Sequence, residues 1–398
     1  MREIIVAGAG TGALSQITPE VRDAINSADV IFADKRLHSL IPAGKRVLDI
    51  MSWRKNSEES GRIVILVSGD PGMFSLMPII MKHCRNITVL PGISSLQAIC
   101  AKAGETWHDA AILSGHGRPL SPSTFLTTIE RNRITILFCD SNISPSWACE
   151  KLAVMKDVDV VIGSCLGAEN ETVLKGKPEK FTDTAFPSPS IVLIRNNNPY
   201  TPERLHLRDK DFLREPDIVM TNESVRSVII SRLELRADSV FWDIGAGSGS
   251  ISVSAGNEFP FAEIHAVECN SEAADLVSRN AGKFHLHNIT VHNSRALEVI
   301  GNLPVPSHVF IGGSDGEMSG ILAKISAMNE AVRVVVACVT LETFTEAYGI
   351  MREWENFEAV QVSAVASKTL AHSLTMMKAN NPVMILSAIV SQNFPRYL

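Results

Sequence analysis

No apolar run in this 398-residue chain approaches the roughly 20 residues that a helix needs to cross a bilayer, so a spanning helix is not expected. Nor is there an excess of positive charge. With 37 Lys and Arg against 43 Asp and Glu, the net charge of −6 gives no general attraction for nucleic acid or an anionic membrane surface, and a small-molecule substrate fits better. Its seven cysteines, Cys84, Cys100, Cys139, Cys149, Cys165, Cys269 and Cys338, are scattered, with no C-x-x-C pair and no framework spacing. They read as reduced, mostly buried thiols. The first residues, Met1 to Gly8, run straight into a strand-like segment and leave no room for a charged n-region, a long h-region and a cleavage site. The expectation is a cytoplasmic protein.

What is present is the composition of an ordinary globular chain, 45% apolar and 20% charged, long enough for two domains. Short β-branched runs recur at residues 4–7, 30–33, 63–67, 88–90, 134–138, 158–162 and 191–194. A second series follows at 240–244, 264–267, 290–292, 308–311, 333–337, 357–362 and 383–389. Segments with helical spacing, such as Ser271 to Phe284, lie between them, which predicts an α/β fold of alternating units and largely parallel sheets. The polar, turn-rich stretch from Arg195 to Pro202 separates the two series. It sets expected domains at 1–197 and 212–398, with 198–211, including Asp209-Lys210-Asp211, as a solvated linker.

The sharpest local signal is Val240-Phe241-Trp242-Asp243-Ile244-Gly245-Ala246-Gly247-Ser248-Gly249-Ser250. An apolar strand ends in a glycine turn that opens a helix, so backbone amides there can approach a ligand closely. Glu268 follows 19 residues after Gly249, at the end of the next strand, where a carboxylate can accept hydrogen bonds from both hydroxyls of a ribose. The spacing is G-x-G-x-G, with Ser250 where a dinucleotide fingerprint wants its third glycine, and Asp243 suits a cationic ligand better than a pyrophosphate. The residues favour S-adenosylmethionine over NAD, with a purely structural turn as the remaining alternative.

This glycine segment resembles the decarboxylating precorrin C15-methyltransferase domain. So do Met220-Thr221-Asn222-Glu223-Ser224-Val225-Arg226, Ala266-Val267-Glu268-Cys269-Asn270, Val309-Phe310-Ile311-Gly312-Gly313-Ser314, Val339-Thr340-Leu341-Glu342-Thr343 and Asn381-Pro382-Val383. The resemblance implies a Rossmann-like class I methyltransferase domain that binds S-adenosylmethionine. In it, the loop with Asp243, Gly245, Ala246, Gly247, Ser248 and Gly249 wraps the methionine part, Glu268 holds the ribose, Thr221 closes over the cofactor and the Ala296 backbone lies near the adenine. The family usually has an acid just before that alanine, and this chain has Arg295. Gly312 and Gly313 would let a planar tetrapyrrole approach the backbone. Ser314, Glu317, Arg226 and His372 are the polar candidates for a part in the chemistry.

In the first half, Gly8-Ala9-Gly10-Thr11-Gly12-Ala13 satisfies the G-x-G-x-x-A variant of the dinucleotide motif, with Asp34 further on. The helix, however, is predicted to open at Thr18-Pro19-Glu20, with Thr18 as its cap, so the loop does not lead into a helix N-terminus and a pyrophosphate site is spoiled. Val67-Ser68-Gly69-Asp70-Pro71-Gly72, Leu90-Pro91-Gly92-Ile93-Ser94-Ser95 and Ser114-Gly115-His116-Gly117-Arg118 resemble the C5-methyltransferases of the tetrapyrrole methylase family. That resemblance implies a two-lobed α/β domain with its own S-adenosylmethionine site, formed by Gly69, Asp70 and Pro71 and by Ile93, Ser94 and Ser95. The substrate would lie against Gly8, Gly10 and His116.

The two resemblances together imply two S-adenosylmethionine sites. They imply methylation of precorrin-6B at C15 and C5, with loss of the ring C acetate carboxylate, to give precorrin-8X. They also imply a homo-oligomer assembled through the C-terminal domain. The alternatives are a methyltransferase acting on another tetrapyrrole and a non-catalytic S-adenosylmethionine-binding regulator. His285, His287 and His292 flank a turn without an acidic partner, so no metal site is expected.

Overall fold

Ile4, Ile5, Val6 and Ala7 are all buried, so the first strand offers both faces to a core, as a parallel strand covered on two sides must. The computed structural model describes residues 2–54, 59–117, 119–328, 331–369 and 375–390, and the chain divides into a front unit, Met1–Pro199, and a back unit, Tyr200–Leu398. His372 and Arg118 lie outside the described residues.

The front unit holds two sheets. β1 (Arg2–Gly8), β2 (Val30–Ala33), β3 (Val47–Asp49), β4 (Gly61–Val67) and β5 (Ile87–Leu90) form a parallel sheet in the order β3-β2-β4-β1-β5. The helix after β1 opens where the sequence predicts: Thr18 accepts the N–H of Val21 at 3.3 Å, Pro19 is the first helical residue, and a 3-10 turn at Leu14–Gln16 fills the gap. β6 (Ala111–Ser114), β7 (Ile134–Phe138), β8 (Val158–Ser164), β9 (Thr172–Gly176) and β10 (Ser190–Asn196) form the second sheet, ordered β6-β7-β10-β8-β9.

This second sheet departs from the expected parallel pattern, because only β6 and β7 run parallel. β8 turns directly back into β9, and β10 returns antiparallel between β7 and β8. Periodicity reports burial and not strand direction, so a buried antiparallel strand such as β10 reads like a parallel one.

In the back unit β11 (Val240–Ile244), β12 (Glu263–Glu268), β13 (Ile289–Asn293), β14 (His308–Ile311) and β15 (Val332–Cys338) are parallel. After β16 (Glu355–Val362), the hairpin of β17 (Val365–Thr369) and β18 (Thr375–Ala379) precedes β19 (Val383–Val390). β19 inserts antiparallel between β15 and β16, completing the order β13-β12-β11-β14-β15-β19-β16. The chain runs outward from β11 to β13 and then restarts on the other side at β14. The crevice beyond β11 and β14 is therefore the switch point at which an open α/β sheet binds ligands.

The expected linker is a correction. Leu207 and Phe212 are buried in a cluster with Val253, Phe284 and Leu286, and the side-chain amide of Asn257 donates to the carbonyls of Arg204 and Leu205 at 3.0 and 2.8 Å. Asp209 accepts from the buried Arg226 at 3.0 Å. Residues 204–211 are thus part of the back unit's wall and not a solvated tether, because they supply apolar cover and a counter-charge that the helix Glu223–Leu233 lacks on its own.

Candidate active sites

Ile244 ends β11 fully buried, and the chain turns at Gly245 with φ +71°. A Cβ there would lie 2.4 Å from the carbonyl oxygen of Gly313, so the turn after β11 and the loop after β14 meet backbone to backbone. They flank a cavity of about 580 Å³ at the carboxyl ends of the strands, a size suited to a small-molecule ligand. Thr221, Gly245, Ala246, Gly247, Glu268 and Ala296 line it, as do Gly312, Gly313, Ser314 and Glu317.

Glu268 is 9% exposed at the end of β12. One carboxylate oxygen accepts the N–H of Gly247 at 2.8 Å and the other accepts the N–H of Asn270 at 2.9 Å. The oxygen bound to Gly247 keeps a lone pair for a ligand hydroxyl, the other also accepts from the Cys269 thiol at 3.7 Å, and the carboxylate is fixed in position before a ligand arrives.

Asp243 does not line the cavity. It lies fully buried, accepts the N–H of Ser252 at 2.9 Å and the Ser252 hydroxyl, and leaves its other oxygen without a hydrogen-bond partner among the described residues. Burial, with a smaller addition from the charge of Glu268, pushes its carboxyl up to about 6. Ser248 and Gly249 also lie outside the cavity lining. Asp243, through Ser252, and Gly249, the residue before the helix, tie the turn to the start of the helix Ser250–Glu258.

Arg226, read from sequence as a candidate for the chemistry, is only 2% exposed and does not reach the cavity. Its guanidinium donates to Asp209, to the carbonyl of Thr221 at 2.7 Å and to the carbonyl of Leu207 at 2.7 Å, and its carbon centre lies 4.8 Å from the ring centre of Phe212. Three of its N–H donors are engaged in this way, and one of them ties the guanidinium to the backbone of Thr221 at the cavity wall. Arg295 forms ion pairs with Asp315 and Glu317, joining the turn after β13 to the loop after β14.

The front unit builds its site from three strand ends. Gly10 and Gly69 exchange backbone hydrogen bonds at 3.3 and 2.7 Å, and a Cβ at Gly92 would lie 2.3 Å from the Gly69 carbonyl oxygen and 2.7 Å from that of Gly8. Asp70 fastens this junction by accepting the N–H of Gly72 at 2.7 Å and of Gly92 at 3.1 Å. A cavity of about 270 Å³ opens there, lined by Gly10, Gly69, Asp70, Ser94, Ser95 and His116. Gly8, Pro71 and Ile93 fall outside its lining. Ser94 caps the helix Ser95–Ala103 in a reciprocal arrangement with Gln97, so its hydroxyl is already engaged. His116 is exposed, with its N–H donating to the Ser114 hydroxyl at 3.2 Å.

Residues 213–389 match the family model described as precorrin methyltransferase domain, and residues 3–182 match that of the tetrapyrrole (corrin/porphyrin) methylases. A probable cobalt-precorrin-6B C(15)-methyltransferase (decarboxylating) of Pyrobaculum calidifontis is 34% identical over 184 residues, covering 45% of this chain and 93% of that protein. The chain belongs to the precorrin methyltransferase family. A precorrin-6Y C(5,15)-methyltransferase (decarboxylating) of a Sinorhizobium species is 26% identical over 363 residues, 85% of each chain. A crystal structure of a precorrin-6Y C5,15-methyltransferase from Geobacter metallireducens is 31% identical, covers 47% of this chain and 96% of that one, and has a TM-score of 0.42. This precorrin methyltransferase is thus an S-adenosylmethionine-dependent, decarboxylating enzyme whose front unit is of the tetrapyrrole methylase kind.

Sequence reasoning missed several cavity residues. Val219 and Val339 stand 80% and 74% exposed at the back cavity, and Asp217, Cys269 and Asn380 also line it. In the front cavity Arg36 and Phe138 were not foreseen. Arg36 pairs with Asp34, whose carboxyl is held below its ordinary value chiefly by the Arg36 backbone N–H, so Asp34 serves this turn instead of a ribose. An exposed valine in a loop is the one signal that marked the back rim, since apolar side chains there have no core to serve. His292 pairs with His265 at 3.0 Å instead of gathering with His285 and His287, and among the described residues no group of three or more His, Cys, Asp or Glu could hold a metal.

Proposed function

We propose that the back unit methylates precorrin-6B at C15 with loss of the ring C acetate carboxylate, and that the front unit methylates C5, giving precorrin-8X. The observation that carries this is the presence in one chain of two separate glycine-built cavities, each at the carboxyl ends of strands in its own unit. Each is to hold one S-adenosylmethionine, which supplies a methyl group on a positively charged sulfur. The donor set fits: the back cavity is rich in carboxylates, its glycine turn leaves room for backbone approach, and Glu268 presents two oxygens at the end of β12.

In the back unit Gly245, Ala246 and Gly247 line the methionine end, Glu268 accepts from the ribose hydroxyls, Thr221 closes the wall and the Ala296 backbone faces the adenine. Asp243, Ser248 and Gly249 support the turn from behind. Gly312 and Gly313 let the macrocycle lie against backbone, with Ser314 and Glu317 as the polar groups that the same loop presents. In the front unit Gly69 and Asp70, with Pro71 behind them, and Ser94 and Ser95, with Ile93 beside them, hold the cofactor. Gly10 and His116 face the substrate, and Gly8 keeps the strand ends close.

An in-line displacement at a methyl carbon asks mainly for alignment and exclusion of water, and a bridging carbon of a reduced tetrapyrrole is already nucleophilic. The conjugated macrocycle accepts the electrons left by the departing carbon dioxide, so the protein's task is to seat the acetate in a drier environment than water. Mass spectrometry of the product from precorrin-6B tests the reading: two added methyl groups and one lost carbon dioxide are expected. Cofactor binding without turnover would make the chain a regulator, and turnover only of a different tetrapyrrole would change the substrate.

The chain is further proposed to assemble as a homo-oligomer through the back unit. The hairpin of β17 and β18 exposes Val365, Met376 and Met377, and a two-stranded hairpin has little stability of its own in water. Light scattering showing a monomer at micromolar concentration would remove this proposal.

A further inference from the structure

The back cavity is lined by four carboxylates, Asp217, Glu268, Asp315 and Glu317, and, among the described residues, by a single cation, Arg295. That balance suits a sulfonium and repels a polyanion. Under the proposed function, on which this inference rests, the same cavity must nevertheless admit a tetrapyrrole that bears several carboxylates. Arg295 donates through Nε and Nη2 to one oxygen of Glu317 at 3.1 and 2.9 Å, and its Nη1 lies 3.0 Å from Asp315. Its side chain is 46% exposed and that of Asp315 is 65% exposed, so the pair faces the open side, where another carboxylate can reach the guanidinium.

We propose that Arg295 is the substrate-carboxylate anchor of the C-terminal site, taking a carboxylate of the tetrapyrrole in exchange for Asp315. A planar guanidinium matches the two oxygens of a carboxylate, and it stands in the cavity wall together with the exposed Val219 and Val339, which offer aliphatic surface to the macrocycle. The anchored group is not the acetate that is lost. A carboxylate leaving as carbon dioxide gives up its charge, so an ion pair to it would stabilise the ground state over the transition state and slow the reaction. Arg295 therefore orients the ring by a carboxylate that survives.

The alternative is that Arg295 only latches the loop after β14, and the two readings differ in sign. Steady-state C15 methylation of precorrin-6B by the full chain, with cofactor affinity measured separately by calorimetry, distinguishes them. Arg295→Gln should raise KM for the tetrapyrrole about 10- to 100-fold, the scale of a lost charge-assisted hydrogen-bonded pair, while cofactor affinity stays within about threefold. Arg295→Lys should recover part of the loss, since it restores charge without the fork. Asp315→Asn, which removes the internal competitor and tolerates the left-handed backbone, should lower KM. An unchanged KM in Arg295→Gln, or a rise in both Arg295→Gln and Asp315→Asn, overturns the anchor in favour of the latch. A wild-type chain that does not turn over precorrin-6B removes the proposed function and this inference together.

Discussion

Glu268 accepts the backbone N–H of Gly247 at 2.8 Å, so the acid at the end of β12 and the glycine turn after β11 form one connected device. Residues proposed to hold the ribose and the methionine chain are thereby held in register before any ligand binds. Replacing Glu268 with Ala should weaken cofactor binding in the back unit by about 1 to 3 kcal/mol, the range for charged hydrogen bonds. Glu268→Gln, which keeps an acceptor, should lose less. Calorimetry on the two variants checks this, and an affinity equal to wild type in Glu268→Ala would mean that the ribose is held elsewhere.

The two cavities predict a pair of selective knockouts. Gly245→Ala places a Cβ 2.4 Å from the Gly313 carbonyl oxygen on a left-handed backbone, and Gly92→Ala places one 2.3 Å from the Gly69 carbonyl oxygen. In neither case is the obstacle a flexible side chain. The Gly245 variant should lose C15 methylation and carbon dioxide release while retaining C5 methylation of a product supplied to it, and the Gly92 variant should do the reverse. Calorimetry should count two cofactor equivalents in wild type and one in each variant. One equivalent in wild type would end the two-site reading.

Gly245 was legible in the sequence because a turn, a helix start and a strand-end acid follow one another between Val240 and Glu268, whereas Gly92 stood out only within a segment that resembles a family. The partners of Arg226 were not legible. Leu207, Asp209 and Phe212 come from a stretch whose composition is that of a connector, and only the folded chain brings them to the helix Glu223–Leu233. β9 went unseen for a related reason: Thr172, Leu174 and Lys175 are exposed on an edge strand, so no apolar run marks it. β3 was missed as well, having only three residues. Asp243 reads from the sequence as a contact for a cationic ligand and lies buried outside the cavity lining, because local spacing does not distinguish a carboxylate that faces a ligand from one behind the turn.

The buried Asp243 carboxyl predicts a particular pH dependence. Its value is raised from 3.8 to about 6, chiefly by burial, so the folded chain binds this proton more tightly than the unfolded chain. The stability it contributes is fully present below about pH 3.8 and is lost as pH rises through about 6. Asp243→Asn removes that titration, so the melting temperature of the back unit in the variant, taken relative to wild type, should climb between about pH 4 and 6 and level off above that. A difference that stays flat across this window would show that the carboxyl ionises at its ordinary value despite its burial.

The position of a cut should decide whether the back unit survives alone. Asn196, Asn197 and Asn198 are hydrogen-bonded within the front unit, whereas from Arg204 onward the backbone serves the back unit. A fragment beginning at Tyr200 keeps Leu207 and Asp209 and should methylate once with release of carbon dioxide. A fragment ending at Asn198 should then add the second methyl group without further loss of mass. A fragment beginning at Phe212, although it spans the whole of the matched precorrin methyltransferase domain, leaves Arg226 without Asp209 or the Leu207 carbonyl. Breaking a buried charge pair costs about 3 to 5 kcal/mol, a large part of a domain's stability. That shorter fragment should melt well below the Tyr200 fragment or fail to fold, and Arg226→Met within it should restore part of the loss by removing the stranded charge. Equal melting temperatures for the two fragments would return residues 204–211 to the status of a linker. Carbon dioxide release by the front fragment would overturn the allocation of chemistry between the units.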